Sequence, residues 1–146
     1  MSAKEIKALE RRFINEWNKG KAAAMAVIDE LCAANIAYHS GTGEEIRGLK
    51  DFKKSMSEFY SAFPDSHFTI EDMIVEGDKA VMRWTLTGTH KGEFGGVPPT
   101  NKKVTIWAIS IDRIAGGKFV ETWERFDTAG WMQQLGLVPT PKKGRR

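Results

Sequence analysis

Apolar residues recur every three or four positions through the first 63 residues, which is the period of an amphipathic helix. Ser2 and Glu5 match the Ser-x-x-Glu capping box before the first predicted helix, and Gly20 ends it. A second helix is predicted over residues 21–34 and a third before Pro64, with the strand-like "NIAYHS" and the loop-like "GTGEEIRG" between them. The apolar positions are Ile6, Leu9, Phe13, Ile14 and Trp17, then Met25, Ile28, Leu31 and Cys32, then Leu49, Phe52, Met56, Phe59, Tyr60 and Phe63.

After Pro64 the period changes to the alternation of strands. "HFTIEDMIVE" and "KAVMRWTLTGTH" predict one hairpin, and "KVTIWAISIDRI" and "KFVETWERF" predict another around "AGGK". The Gly- and Pro-rich "KGEFGGVPPTNK" predicts a loop at the mouth of a site, and "AGWMQQL" a short last helix. Helices followed by strands indicate an α+β fold. We therefore expect one domain over residues 1–140, in which a curved, mostly antiparallel sheet wraps around the N-terminal helices as a cone with an internal pocket.

The net positive charge of the chain comes from its last residues. The whole sequence has 22 basic and 19 acidic residues, for a net charge of +3. The tail "PKKGRR", residues 141–146, holds four of the basic residues, and without them 18 basic residues face 19 acidic ones. We expect this tail to be disordered and expect no nucleic-acid partner, because no basic stripe with interleaved aromatics remains.

Several familiar sites are excluded by spacing. There is no phosphate-binding glycine loop, no Gly-x-Ser-x-Gly, and no zinc-like spacing of His39, His67, His90 and the single Cys32. Cys32 is interpreted as a small buried residue. No segment predicts a membrane span or a signal peptide, so we expect a cytoplasmic protein. What remains is acid–base chemistry with no metal and no cofactor, or no chemistry.

Asp127 stands where the last strand meets the last helix, in "ETWERFDTAGWMQQLG". Aspartate is a favoured helix N-cap, and a carboxylate walled by aromatics is also a strengthened base. Both interpretations stay open. On an ideal strand Arg125 shares a face with Asp127, so the two could form an ion pair.

The segments "RWTLTGTHKGEFGGVPPTNKKV", "IDRIAGGKFVETW", Asp127 and "QQLG" together resemble the SnoaL-like polyketide cyclase family of the nuclear transport factor 2-like fold superfamily. "YHSGTG" and the helical start also fit, so the resemblance covers nearly the whole chain. The chain departs from the family at Asn101, where a glycine is usual, and asparagine tolerates positive φ.

The resemblance implies a cofactor-free aldol-type cyclisation in which Asp127 is acid and base. It also places His39, His90 and Arg83 at motif positions where they would orient or polarise the substrate. Arg83 begins an alternation with Thr85 and Thr87, which an ordinary solvated sheet face would equally explain. The aromatic residues are mostly core, and the expected pocket residues are Trp17, Phe59, Phe63, Trp123 and Arg125.

We therefore expect an enzyme acting on a small, polyketide-like carbonyl compound by cyclisation or isomerisation. One alternative is an epoxide hydrolase in which the Arg125–Asp127 pair activates water. Another is a non-catalytic module for small-ligand binding or dimerisation, with a closed or purely apolar pocket. By resemblance, the expected partner is a second copy of the chain.

Overall fold

A computed structural model describes residues 1–139, so the predicted basic tail at 141–146 lies outside the described residues. Within residues 1–139 the chain forms four helices and six strands. In chain order they are α1 (Ala3–Trp17), α2 (Lys21–Leu31), β1 (Cys32–His39), β2 (Glu45–Arg47), α3 (Leu49–Ala62), β3 (His67–Glu76), β4 (Lys79–Thr89), β5 (Lys103–Ala115), β6 (Lys118–Phe126) and α4 (Thr128–Gln134).

The strands form one mixed, curved sheet in the order β2-β1-β6-β5-β4-β3. The β3–β4 and β5–β6 pairs are the predicted hairpins, and β4 and β5 pair along eleven positions from Lys79–Arg113 to Thr89–Lys103. β1 pairs with β6 in parallel. The α+β class and the curved sheet around the helices are confirmed.

Two boundaries differ from the sequence prediction. The second helix ends at Leu31, not at residue 34, because Cys32 already pairs with Phe119 of β6. The segment predicted as the loop "GTGEEIRG" contains the three-residue edge strand β2, which pairs with β1 through Ala37, Tyr38 and His39. Both differences arise from strand pairing, with the distant β6 at Cys32 and with the adjacent β1 at β2, which overrides the local preference.

The capping and turn signals are local and were predictable. Ser2 accepts a hydrogen bond from the Glu5 backbone and the Glu5 carboxylate accepts one from the Ser2 backbone, so the capping box is formed. Asn101 adopts a φ of +59°, the left-handed conformation that a glycine at this position would also allow. Its backbone N–H donates to the His90 carbonyl over 2.8 Å, which holds both ends of the loop between β4 and β5 together.

The helices cover the inner face of the sheet. Trp17 of α1 is buried at the centre, where its indole N–H donates to the Ser66 hydroxyl over 3.1 Å and its carbonyl accepts from the Tyr60 hydroxyl over 2.9 Å. Along β5 every second residue is buried, and Trp107 and Ile109 point to the exposed outer face. The inner face therefore faces the space between sheet and helices, where the site lies.

Candidate active site

A cavity of about 210 Å³ lies between α1, α3 and the inner face of the sheet. Its walls are mainly aromatic and aliphatic, and the exposed residues Thr42 and Glu44 lie where it opens to solvent. The large apolar lining residues are Phe13, Ile14, Trp17, Ile36, Phe52, Met56, Phe59, Phe68, Met82, Trp84, Leu86, Phe94, Ile106, Phe119, Phe126 and Trp131. Such walls favour a flat, apolar ligand.

The polar groups of the cavity come from residues that pair across β5 and β6. Pairing of β5 with β6 sets Asp112 opposite Thr122 and Ser110 opposite Glu124, and all four line the cavity. The Thr122 hydroxyl donates to Asp112 over 2.8 Å. Because strand side chains alternate between faces, Thr122, Glu124 and Phe126 point inward and the residues between them point outward.

Glu124 is the carboxyl group best placed for proton transfer. Burial in the apolar cavity raises its pKa to about 7, and the negative charge of Asp112 adds to the effect. Hydrogen bonds from the Tyr38 hydroxyl and the Gly41 backbone N–H act in the opposite direction, because they stabilise the carboxylate. A carboxyl group with a pKa near neutrality can both accept and return a proton in neutral solution.

Glu10 and Asp112 form a second acidic group, further inside. Both side chains are buried and are hydrogen-bonded to each other, which requires one shared proton. Desolvation, followed by the charge of Asp112, raises the pKa of Glu10 well above its ordinary value, so Glu10 carries the proton. Asp112 accepts from Glu10 and from Thr122.

Asp127, predicted to face the pocket, does not line it. It is exposed and caps α4, with its carboxylate accepting the Gly130 backbone N–H over 2.9 Å. This corrects the expected placement. Side chains of β6 alternate between its two faces, and Asp127 follows Trp123 and Arg125 in the outward-pointing series. The strand itself ends at Phe126, just before Asp127.

The two expected histidines also lie outside the cavity lining. His39 is near the surface, between Glu121 at 2.8 Å and Glu45 at 3.2 Å, with its ring stacked on Trp123. These carboxylates raise the pKa of His39, Glu121 most. His90 is fully buried and stacks on Phe63, with its Nδ1 accepting the Thr100 backbone N–H over 3.3 Å.

Arg83 and Arg125 likewise do not reach the cavity. The Arg83 Nε donates to Asp72 over 2.7 Å on the exposed outer face of the sheet, so the solvated-face interpretation of this strand is the right one. Arg125 donates to the backbone carbonyls of Ser40 and Glu124. Across residues 1–139 no ion pair joins Arg125 to Asp127.

The expected pocket residues divide in the same way. Trp17 and Phe59 line the cavity, while Phe63, Trp123 and Arg125 do not. Phe63 packs behind Phe59, with ring centroids 5.1 Å apart, and Trp123 points outward against His39. The loop predicted to lie at the mouth does contribute, through Phe94.

Sequence reasoning missed Glu10, Asp112 and Glu124. A signal was present for two of them, because each acid stands at a position that the apolar period reserves for the core. Glu10 follows Ile6 by one helical turn, and Asp112 continues the buried series from Ala108 to Ile114. Charged residues at such positions are seldom fully buried without a purpose.

In the part of the chain that the structure describes, no three His, Cys, Asp or Glu side chains are grouped so as to hold a metal ion. No helix among residues 1–139 is both long enough and apolar enough to cross a bilayer.

The family model for the SnoaL-like polyketide cyclases matches residues 7–135, nearly the whole chain. The chain belongs to this family. It is 27% identical over 141 residues to the aklanonic acid methyl ester cyclase DauD of Streptomyces sp. (strain C5), covering 94% of this chain and 86% of DauD. It is also 27% identical over 139 residues to the cyclase of the same name, DnrD, of Streptomyces peucetius, covering 94% of this chain and 95% of DnrD.

Solved structures agree with the family at the level of the fold. The crystal structure of AclR from Streptomyces galilaeus, described as a candidate hydroxylase, superimposes with a TM-score of 0.83 at 30% identity. The match covers 97% of this chain and 87% of AclR. Relatives with this fold thus carry names from more than one reaction class, and the reaction has to be argued from the cavity.

Proposed function

We propose that this member of the SnoaL-like polyketide cyclase family is a cofactor-free acid–base enzyme. Its substrate would be a flat, polyketide-like carbonyl compound, and Glu124 would be the acid and base of an aldol-type cyclisation or related isomerisation. The observation that carries the proposal is a carboxyl group with a pKa of about 7 on the wall of an aromatic cavity.

The chemistry needs only one such group. Ionised Glu124 takes a proton from a carbon next to a carbonyl group, and the resulting enolate attacks a second carbonyl carbon of the same molecule. A carbon–carbon bond forms, the attacked oxygen becomes an alkoxide, and protonated Glu124 returns the proton to it. Protons and electrons balance, so no metal, oxidant or cofactor is required.

Tyr38 would keep the base in place. Burial and the charge of Glu124 hold the pKa of Tyr38 well above its ordinary value, so its hydroxyl stays a hydrogen-bond donor. Its bond to Glu124 fixes the carboxylate on the cavity wall and favours the ionised form. Tyr38 is thus a positioning residue in this proposal.

The names of the relatives support the substrate class. DauD and DnrD are named as cyclases of aklanonic acid methyl ester, and the family model that matches this chain is that of the polyketide cyclases. At 27% identity this similarity supports the class of reaction, and the substrate of this chain stays a proposal.

The experiment replaces Glu124 with glutamine and measures cyclisation of aklanonic acid methyl ester. We expect turnover to fall by about 10²- to 10⁴-fold, the usual contribution of a general acid–base group. Asp127→Asn is the matched control, since it changes the neighbouring acid outside the cavity and asparagine is also a good helix cap. Full turnover in Glu124→Gln would refute the proposal. No conversion by the wild-type protein of this or related esters would favour the non-catalytic binding module.

The epoxide hydrolase alternative has no comparable support. It requires Arg125 and Asp127 to hold a water molecule together in the cavity. Neither residue lines the cavity, and each is engaged elsewhere, Arg125 with backbone carbonyls and Asp127 with the end of α4.

A further inference from the structure

Glu10 occupies an unusual position for a charged residue. It lies on the apolar face of α1 between Ile6 and Trp17, is 2% exposed, and lines the cavity. Within residues 1–139 its Oε1 atom has no hydrogen-bond partner. A buried polar atom without a partner is costly, so native proteins keep few of them.

The neighbouring carboxylate of Asp112 determines what the Glu10 side chain can do. Glu10 and Asp112 share one proton, and Asp112 also accepts from the Thr122 hydroxyl over 2.8 Å. One shared proton occupies only one of the lone-pair sites on these two carboxyl groups, so the Glu10–Asp112 pair keeps spare acceptor capacity. Both residues line the cavity, so a donor on a ligand bound there can use that capacity.

The charges of the residues that line the cavity also favour a ligand that donates hydrogen bonds. Of the described residues that line the cavity, Glu10, Glu44, Asp112 and Glu124 are acidic and none is Lys, Arg or His. An anionic ligand would meet several carboxyl groups and no compensating cation. A ligand with a hydroxyl or amine would meet acceptors in an otherwise apolar space.

We propose that the Glu10–Asp112 end of the cavity is a recognition site for a hydrogen-bond donor, a hydroxyl or an amine, on an aromatic ligand, and that it discriminates against carboxylates. This deepens the proposed function by naming a feature of the substrate, and it rests on that function only in placing the substrate in the same cavity. Glu10 would bind one end of the ligand while Glu124 acts on another part of it.

The test uses four small ligands with one bicyclic skeleton and measures their affinities by calorimetry. They are 2-naphthol, its methyl ether 2-methoxynaphthalene, 2-naphthylmethylamine and 2-naphthoate. Methylation of naphthol removes the donor and keeps the oxygen. We expect naphthol to bind about five- to tenfold more tightly than the ether, which corresponds to one hydrogen bond to a buried acceptor. We expect naphthoate to bind most weakly.

Two substitutions of Glu10 separate hydrogen bonding from general packing. Glu10→Leu removes the acceptor, so the preference for naphthol over its ether should disappear. Glu10→Gln keeps a carbonyl oxygen, and its amide can donate to Asp112, so the preference should remain. Thermal melts of both variants check that the fold is intact.

Each outcome of the binding measurements either supports or overturns the proposal. Equal binding of naphthol and its ether by the wild-type protein overturns the proposal, as does an unchanged preference in folded Glu10→Leu, or naphthoate binding better than the ether. Binding of the amine above naphthol supports the proposal and identifies ammonium as the preferred donor. None of these measurements needs turnover, so their failure leaves the Glu124 proposal standing, and failure of the turnover test leaves this one standing.

Discussion

Glu124 and Asp127 are three residues apart on opposite sides of the end of β6, and only Glu124 faces the cavity. Asp127 is held at the surface by the Gly130 backbone N–H. The strand alternation that separates them also sends Arg125 outward. The proposed acid–base chemistry is therefore placed on Glu124, the earlier of the two acids.

The rate should depend on the ionisation of Glu124. Only the carboxylate can accept a proton from carbon, and burial raises the pKa of Glu124 to about 7. We expect kcat/KM to rise with pH and to level off above about pH 7, in a pH–rate profile of the wild-type protein. A profile that is flat between about pH 5 and pH 8 would contradict the assignment.

Tyr38→Phe should move that profile. The Tyr38 hydroxyl stabilises the Glu124 carboxylate and so lowers its pKa. Without this hydrogen bond the apparent pKa should rise above that of the wild-type protein, so the rate levels off at higher pH. A loss of rate with no change in the shape of the profile would show that Tyr38 acts through packing alone.

Folding stability should fall with rising pH because Glu124 resists ionisation in the folded protein. Burial raises the pKa of Glu124 from 4.5 to about 7 in the folded protein. The stability that the protonated carboxyl group contributes is therefore complete below its unfolded pKa and is lost as the pH rises through its folded pKa. We expect about 2–3 kcal/mol of stability to be lost between about pH 4.5 and pH 7 from this group. Urea unfolding of Glu124→Gln should show a flatter pH dependence, and an unchanged slope would contradict the burial of the charge.

Much of the fold could be predicted because its signals are local. The capping box at Ser2, the stop at Pro64, the hairpin turns and the positive φ of Asn101 depend on a few adjacent residues. The start of β1 at Cys32 could not, because it depends on pairing with the distant Phe119, and the edge strand β2 could not, because its Gly-rich surroundings indicated a loop.

The site was harder to predict than the fold. Sequence spacing placed Arg125 and Asp127 on one face of an ideal strand but could not tell which face is inward, and β6 ends at Phe126, before Asp127. A shift of one residue along the strand would exchange the inward and outward faces. Glu10 and Asp112 come together from α1 and β5, about a hundred positions apart, and only their places in apolar series marked them.

Protonated His39 should stabilise the fold at acidic pH through its surface ion pairs with Glu121 and Glu45. Glu121, then Glu45, raises the pKa of His39, so its contribution is full below the ordinary value of 6.5 and is lost as pH rises through the folded value. We expect His39→Asn to destabilise the protein at about pH 5 and to matter less at about pH 9, measured by thermal melts. Equal destabilisation at both values would show that stacking on Trp123, not charge, is the contribution of His39.

The expected homodimer stays a proposal of family resemblance, and the outer face of the sheet is where we place it. Trp107 is 56% exposed there and Ile109 is 45% exposed. If this face pairs two copies, Trp107→Lys should give a monomer by light scattering, while Lys50→Glu on the exposed part of α3 should not. A wild-type protein that is already monomeric would contradict the proposal.

Hydrogen exchange at the carbon acid tests the central claim most directly. The protein is incubated with aklanonic acid methyl ester in D₂O, and NMR follows deuterium entering the carbon next to a carbonyl group. We predict catalysed exchange by the wild-type protein and by Asp127→Asn, and exchange at the uncatalysed rate with Glu124→Gln. Catalysed exchange by Glu124→Gln together with its loss in Asp127→Asn would contradict the assignment and return the chemistry to the capping residue.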